Sequence, residues 1–196
     1  MCPSCLCGER IFSVEVEVKI RVDRPSAIRQ RLKRAGYALK SYHREQDAVF
    51  DDANQGLRMN GQLLRLRNKD GHALLTYKGR PVAGSRYKER EELETGVENG
   101  SRLRTILERL GFQLWFAYEK RRRTFRRRGE PGLVTLDHTP LGYFLELEGP
   151  QAWIDGTAVR LGFGPGDYVT KSYFQLYAED CQERGIKPTN MLFGKR

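Results

Sequence analysis

The chain has 196 residues, 39% of them hydrophobic, 31% charged and 10% aromatic, with a formal net charge of +10. That length fits one domain or at most two small ones, and the aromatic and hydrophobic content excludes a disordered chain. No apolar run approaches about 18 residues and no secretory n-region and h-region pair is visible, so no membrane span is expected and a cytoplasmic protein is the default. The positive charge favours anionic partners: nucleic acid, phosphorylated small molecules or a membrane surface.

The N-terminal stretch, residues 1–11, holds Cys2, Cys5 and Cys7; Cys181 is far away. Cys-x-x-Cys-x-Cys offers three thiolates, but no neighbouring His or Cys completes a zinc site, so the plainer reading is a tail with reduced thiols. The first strand spans 12–22, with Glu15, Glu17, Lys19 and Arg21 on one face and Val14, Val16, Val18 and Ile20 on the other. Pro25-Ser26 opens a helix with Ala27, Ile28, Leu32 and Ala35 on one stripe, closed by Gly36. Residues 37–50 give one or two strands, followed by a turn or loop at 51–56. Leu63–Asn68 and His72–Lys78 form a hairpin around Asp70-Gly71. After a loop, Tyr87–Thr95 is a strand. Ser101–Leu110 is a helix carrying Leu103, Ile106, Leu107 and Leu110. Phe112–Arg127 is one long strand or two collinear ones. Leu133–His138 and Tyr143–Glu148 are strands, and 151–161 and 166–184 read as helical. A C-terminal tail follows from 185. The total is about eight strands and four helices, an α+β arrangement dominated by antiparallel neighbours.

The charged strand residues sort by parity. Arg65 and Arg67 share a face opposite Leu64 and Leu66. Lys78 shares one with Thr76. Lys88, Arg90, Glu92 and Glu94 share another, as do Lys120 and Arg122. Asp137 lies opposite Val134 and Leu136, and Glu146 and Glu148 lie opposite Leu145 and Leu147. Residues i and i+2 stand about 6.5–7 Å apart, so each pair sets like charges side by side. A single such strand reads as half-exposed with a solvated face. Six of them, most backed by aliphatic residues that helices must cover, point to a barrel with a charged interior. A polyanion with divalent cations would satisfy both charge sets.

The ordered set Glu15-x-Glu17-x-Lys19, Arg65-x-Arg67, Lys78 in Thr-Tyr-Lys-Gly, Arg90-Glu91-Glu92-Leu93-Glu94, Glu119-Lys120-Arg121-Arg122, Leu136-Asp137, Leu141–Glu148 and Lys171-Ser172-Tyr173 resembles the CYTH superfamily, the triphosphate tunnel metalloenzymes. The resemblance covers about residues 12–180, within a domain bounded at 12–184. Gln46–Asp51 and Ser172-Tyr173 resemble the class IV adenylyl cyclase branch. The resemblance implies a closed eight-stranded antiparallel β-barrel with helices packed outside. It implies Mg²⁺ or Mn²⁺ held by Glu15, Glu17, Asp137, Glu146 and Glu148. It implies a triphosphate gripped by Lys19, Arg65, Arg67, Lys78, Arg90, Lys120, Arg122 and, from a helix at a tunnel mouth, Lys171. Lys19, Arg65 and Lys120 stand as catalytic candidates. His138 is a base in principle, though a lone surface histidine is the plainer reading.

The implied substrates are ATP, tripolyphosphate or thiamine triphosphate. Attack by the ribose 3′-hydroxyl would give cyclic AMP and pyrophosphate; attack by water would make the protein a triphosphatase. The sequence shows no clear adenine pocket, and it leaves a homodimer open. The run Lys120–Arg128, with seven positive charges in nine residues, raises nucleic-acid binding as a rival. The paired carboxylates would repel a nucleic-acid backbone, which makes that partner the weaker expectation.

Overall fold

In a computed structural model that describes residues 13–194, eight antiparallel strands close into one barrel. The strands are β1 (Ser13–Val22), β2 (Ala38–Asp51), β3 (Leu63–Lys69), β4 (His72–Lys78), β5 (Lys88–Val97), β6 (Gln113–Arg126), β7 (Leu133–Thr139) and β8 (Gly142–Glu148). Around the barrel their order is β1-β5-β4-β3-β2-β6-β7-β8, with β8 returning to β1. Residues 38–51 and 113–126 are each a single long strand, and they pair along nearly their whole length. Closure leaves no free sheet edge.

The helices are α1 (Pro25–Arg34), α2 (Gly56–Met59), α3 (Gly100–Arg109), α4 (Gln151–Arg160) and α5 (Tyr173–Glu183). Pro25 starts α1, where a missing N–H costs nothing. The α1 stripe buries Ile28 and Leu32 together with Ile154, Ala158 and Leu161 from α4 and its end, against Val18, Ile20, Val134, Leu136, Leu145 and Leu147. Each of these strand residues points outward. The apolar core is therefore the jacket between barrel and helices, and each fully buried aliphatic side chain there contributes about 1.5–3 kcal/mol. A second jacket sets Leu107 and Leu103 of α3 against Phe50, Leu64 and Leu66. In the β3–β4 hairpin, Asp70 and Gly71 have φ of 49° and 86°, the left-handed pair that a two-residue turn of this twist demands.

The C-terminal third departs from expectation. Residues 166–184 are not one helix. Pro165–Asp167 form a 3₁₀ turn, the chain then runs extended, and α5 begins at Tyr173. The reason is tertiary: Val169 exchanges two backbone hydrogen bonds with Lys19, whose strand has run past the start of β5. The region after α5 also packs on the barrel. Met191 is buried and exchanges backbone hydrogen bonds with Ala117 and Glu119 of β6. Cys181 is a buried free thiol; Cys2, Cys5 and Cys7 lie outside the described residues.

Candidate active site

The interior of the barrel is charged. Glu17, Lys19, Glu45, Asp47, Arg65, Arg67, Lys78, Lys88, Arg90, Lys120 and Glu146 are all buried within it, and most of them line one cavity of about 990 Å³. Strand alternation delivers them: once the odd residues of β1 face inward, Glu15, Glu17 and Lys19 follow. Every cation is met by a carboxylate. Lys19 Nζ donates to Glu17 at 2.9 Å and stands 3.5 Å from Glu146. Lys78 Nζ reaches Glu15 at 2.5 Å and Glu92 at 3.1 Å. Arg67 donates to Asp47 at 2.7 Å and stands 3.2 Å from Glu45. Arg65 donates to Thr76 at 3.1 Å, and its Nε lies 3.5 Å from Asp47. Arg90 lies 3.6 Å from Glu15 and Lys88 lies 3.4 Å from Glu17.

This web sets the protonation states. Burial works against the Lys19 ammonium, but Glu17 and Glu146 more than offset it and hold its pKa above the ordinary lysine value. Burial likewise disfavours the Glu146 carboxylate, and Arg122, Lys120 and Lys19 overcome it, holding its pKa low. Two groups go the other way. Burial, with Lys19 close by, brings Lys88 down to about 7. Burial, with Glu15 and Glu17 beside it, pushes Glu148 up to about 7. Glu17 and Glu148 face each other in register on β1 and β8. Two carboxylates of one corner of the tunnel thus stand directly opposite each other across the ladder.

That corner gathers the carboxylates that a divalent ion would need. The donors Glu15, Glu17, Glu146 and Glu148 are all hard carboxylates, suited to Mg²⁺ or Mn²⁺, and Glu148 carries a charge that an ion would relieve. Among the described residues no three such groups already converge as a ligand set; Glu15 and Glu17 turn toward lysines instead.

Of the residues expected from sequence, Glu15, Glu17, Lys19, Arg65, Arg67, Lys78, Arg90, Lys120, Arg122, Glu146 and Glu148 all line the cavity. Asp137 does not. It points into the barrel but is fully buried beneath Lys120, Arg122 and Tyr173, accepting from Lys120 at 2.9 Å, from Arg122 at 2.8 and 2.7 Å and from the Tyr173 hydroxyl at 3.1 Å. Its oxygens are spent on orienting the two cations. Lys171 also falls outside. It precedes α5 rather than lying on a helix, and its ammonium pairs with Glu179 at 2.7 Å with both side chains about half exposed. His138 faces outward, stacked on Tyr143 with ring centroids 4.4 Å apart. Arg121 and Arg123 of the basic run also face outward, over the rings of Phe193 and Tyr42.

The sequence reading missed His43, Glu45 and Asp47. They alternate on β2 and line or back the cavity; Glu45 and Asp47 supply carboxylates to Lys120, Arg65 and Arg67, and the His43 Nε2 lies 2.9 Å from Glu45. Their i, i+2 spacing was the available signal. It also missed Tyr173, whose ring lies under both Lys19 and Lys120, at 5.5 and 5.4 Å.

A closed antiparallel barrel with facing ranks of buried cations and carboxylates defines a protein of the charged-tunnel class. A CYTH domain model matches residues 13–155, and the chain belongs to that family. A Methanocaldococcus jannaschii protein named "Putative adenylate cyclase MJ0240" is 31% identical over 135 residues, 69% of this chain and 76% of that protein. The fold matches a crystal structure of a Vibrio parahaemolyticus protein titled a putative adenylate cyclase, with TM-score 0.73, 23% identity and coverage of 84% and 97% of the two chains. It also matches a Hippeastrum protein titled a putative adenylyl cyclase with a dominant triphosphatase activity, with TM-score 0.60, 19% identity and coverage of 89% and 97%.

Proposed function

We propose that this protein is a metal-dependent enzyme acting on triphosphates, with the class IV adenylyl cyclase reaction, ATP to cyclic AMP and pyrophosphate, as its activity. The observation that carries this reading is the convergence of Lys19, Arg65, Arg67, Lys78, Arg90, Lys120 and Arg122 on one cavity beside a carboxylate corner. Surface phosphate sites need no such interior. Burying this many charges of both signs is costly, and a polyanion with a divalent cation would satisfy both sets. The cyclase name of the Methanocaldococcus jannaschii relative supports the choice of reaction.

The residues divide the work. Arg65, Arg67 and Arg122 present guanidinium forks that hold non-bridging phosphoryl oxygens in pairs, while Lys19, Lys78 and Lys120 act as point charges. As the ribose 3′-hydroxyl gives up its proton to water, its oxygen bonds to the α-phosphorus and the bond to the bridging oxygen breaks, so charge collects on the departing pyrophosphate. Lys19, Arg65 and Lys120 are set to stabilise it without reorganising. Glu15, Glu17, Glu146 and Glu148 would hold the divalent ion, which supplies charge neutralisation at the phosphoryl oxygens and activation of the attacking oxygen. Asp137 and Tyr173 fix the positions of Lys120 and Arg122.

Water in place of the ribose hydroxyl would make the same cavity a triphosphatase, and the Hippeastrum protein's title favours keeping this second reading. Incubation with ATP, thiamine triphosphate and tripolyphosphate under Mg²⁺ or Mn²⁺, with product identification, tests both. Cyclic AMP supports the cyclase; ADP or free phosphate supports the triphosphatase. No turnover of any of them overturns the enzyme reading.

A further inference from the structure

One stretch of the outer wall carries charge where the rest carries an apolar jacket. On β2 the outward side chains Tyr42, Arg44 and Gln46 are exposed, and so is Arg121 beside them on β6. The ladder sets Tyr42 opposite Arg123 and Arg44 opposite Arg121. Two arginines thus face each other across the strands, and Arg121 and Arg123 stand about 6.5–7 Å apart on the same face. Opposed like charges are unfavourable. Glu119 answers one of them, accepting from Arg44 at 2.8 Å. Among the described residues Arg121 and Arg123 pair with no carboxylate; their guanidinium groups lie over the rings of Phe193 and Tyr42, at 4.7 and 4.4 Å. Their field reaches the next strand. After burial, these two charges are what hold His138 below the ordinary histidine pKa.

The positive strip continues toward the end of the barrel. The β2–β6 register shifts between Leu39 and Ser41, which leaves Lys40 as the extra residue of a bulge, and Lys40 is exposed. Arg128, in the turn after β6, is exposed as well. Neither forms an ion pair with another described residue. The last turn of α1 adds Lys33 and Arg34. A side chain at Gly36 would stand 3.4 Å from Arg127 Nε, so the end of α1 and the turn after β6 meet.

Residues 38–44 alone cover about 20 Å of strand. That is too long for one phosphate group and suits a polymer that repeats its negative charge. The carboxylates that speak against a nucleic acid do not face it, because Glu15, Glu17, Glu146 and Glu148 line the tunnel. The strip also has open apolar surface: Tyr42 is 53% and Leu39 55% exposed. Arg123 backs the Tyr42 ring and leaves more than half of that side chain free. An open ring among cations holds unpaired bases by stacking; bases inside a duplex cannot reach it.

We propose that the outer β2–β6 wall binds single-stranded nucleic acid, with Lys40, Arg121, Arg123 and Arg128 on the phosphates and Tyr42 stacked on a base. This site is separate from the tunnel and does not depend on the triphosphate reading.

The test is an anisotropy titration of the full chain with a labelled single strand of about 20 nucleotides, of mixed sequence and with a 5′-hydroxyl, in EDTA, at about 50 and about 200 mM salt. Four phosphate contacts give a salt slope of about −2.8, so affinity should fall about 50-fold between those salts. The double variant Arg121→Ala/Arg123→Ala should bind more weakly, with a slope near about −1.4. Should that pair not fold, Arg128→Ala, in an exposed turn, should lower the slope by about 0.7. Tyr42→Ala should weaken binding about tenfold and leave the slope unchanged. A duplex of the same sequence should bind more weakly than the single strand, and Arg65→Ala, in the tunnel, should bind the strand as wild type does. No binding at the lower salt overturns the proposal. So does salt-sensitive capture by phosphatidylserine vesicles without binding of the strand, which reassigns the wall to a membrane surface. Equal or tighter binding of the duplex, wild-type affinity in the folded wall variants, or loss of the strand in Arg65→Ala overturns it as well.

Discussion

Lys78 reaches over β5 from β4 to β1 and places its ammonium 2.5 Å from a carboxylate oxygen of Glu15. One belongs to the proposed phosphate set and the other to the proposed metal set. Each occupies the other until ligands arrive. A cation on Glu15 would release Lys78 toward phosphate, so metal and triphosphate should bind cooperatively. Coupling of about 5–150-fold is the ordinary range, and each ligand must raise the other's affinity by the same factor. Titration of tripolyphosphate with and without Mn²⁺ measures it. In Glu15→Gln the metal-free affinity should rise, because Lys78 then answers to one carboxylate, Glu92, instead of two, and the enhancement by metal should shrink. Unchanged coupling in that variant would show that the pair is not the link.

Arg65→Ala should weaken triphosphate binding by roughly 10- to 150-fold, the worth of one or two charge-assisted hydrogen bonds. The fold should survive. Asp47, which Arg65 faces at 3.5 Å, keeps its shorter bond to Arg67 at 2.7 Å, so no buried carboxylate is stranded. A KM equal to that of wild type would remove Arg65 from the binding set.

Glu146→Ala should abolish metal-dependent turnover and leave the barrel folded. Lys19 retains Glu17 and Arg122 retains Asp137, so neither cation is left uncompensated in the wall. Circular dichroism and a melting curve check the fold, and product formation under saturating Mg²⁺ checks activity. Residual activity near the wild-type level would contradict the metal-side role. Lys171→Ala is the contrast. Its pair with Glu179 is solvent-exposed, an arrangement worth about 0–1 kcal/mol, so both the melting temperature and turnover should stay as they are.

The barrel was legible because apolar jackets cover most strands. Where a helix packs outside, the outward residues are aliphatic and the inward charges stand out by parity, as with Val18 and Ile20 against Glu17 and Lys19. On the first part of β2 the outward residues are Tyr42, Arg44 and Gln46, which no helix covers. Both faces are then polar, the contrast vanishes, and His43, Glu45 and Asp47 passed unnoticed. The segment before α5 was misread for a different reason. Its extended course depends on Val169 pairing with the backbone of Lys19, a partner 150 residues earlier that no local pattern announces. Lys171 was carried by resemblance alone, and the capping box of Ser172 with Gln175 fixes the helix start just beyond it, which leaves its side chain outside.

Glu148 supplies the last prediction. It faces Glu17 across the β1–β8 ladder, with Glu15 close by. Opposed like charges on neighbouring strands are destabilising. The metal-free protein therefore carries a local repulsion that an uncharged isostere would remove. Glu148→Gln should raise the melting temperature in EDTA. In the wild type, millimolar Mg²⁺ or Mn²⁺ should raise the melting temperature by mass action, since an ion bound only by the folded chain stabilises it. That shift should be small in Glu148→Gln, because the variant has lost both a donor and one of the negative charges that draw the ion in. Wild type and variant, each with and without metal, thus separate the metal-free and metal-bound roles of one carboxylate. A drop in melting temperature for Glu148→Gln in EDTA would mean that Glu148 is held by favourable contacts and that the carboxylate corner is already balanced without an ion. A metal-induced shift equal to that of wild type would place the ion elsewhere in the tunnel.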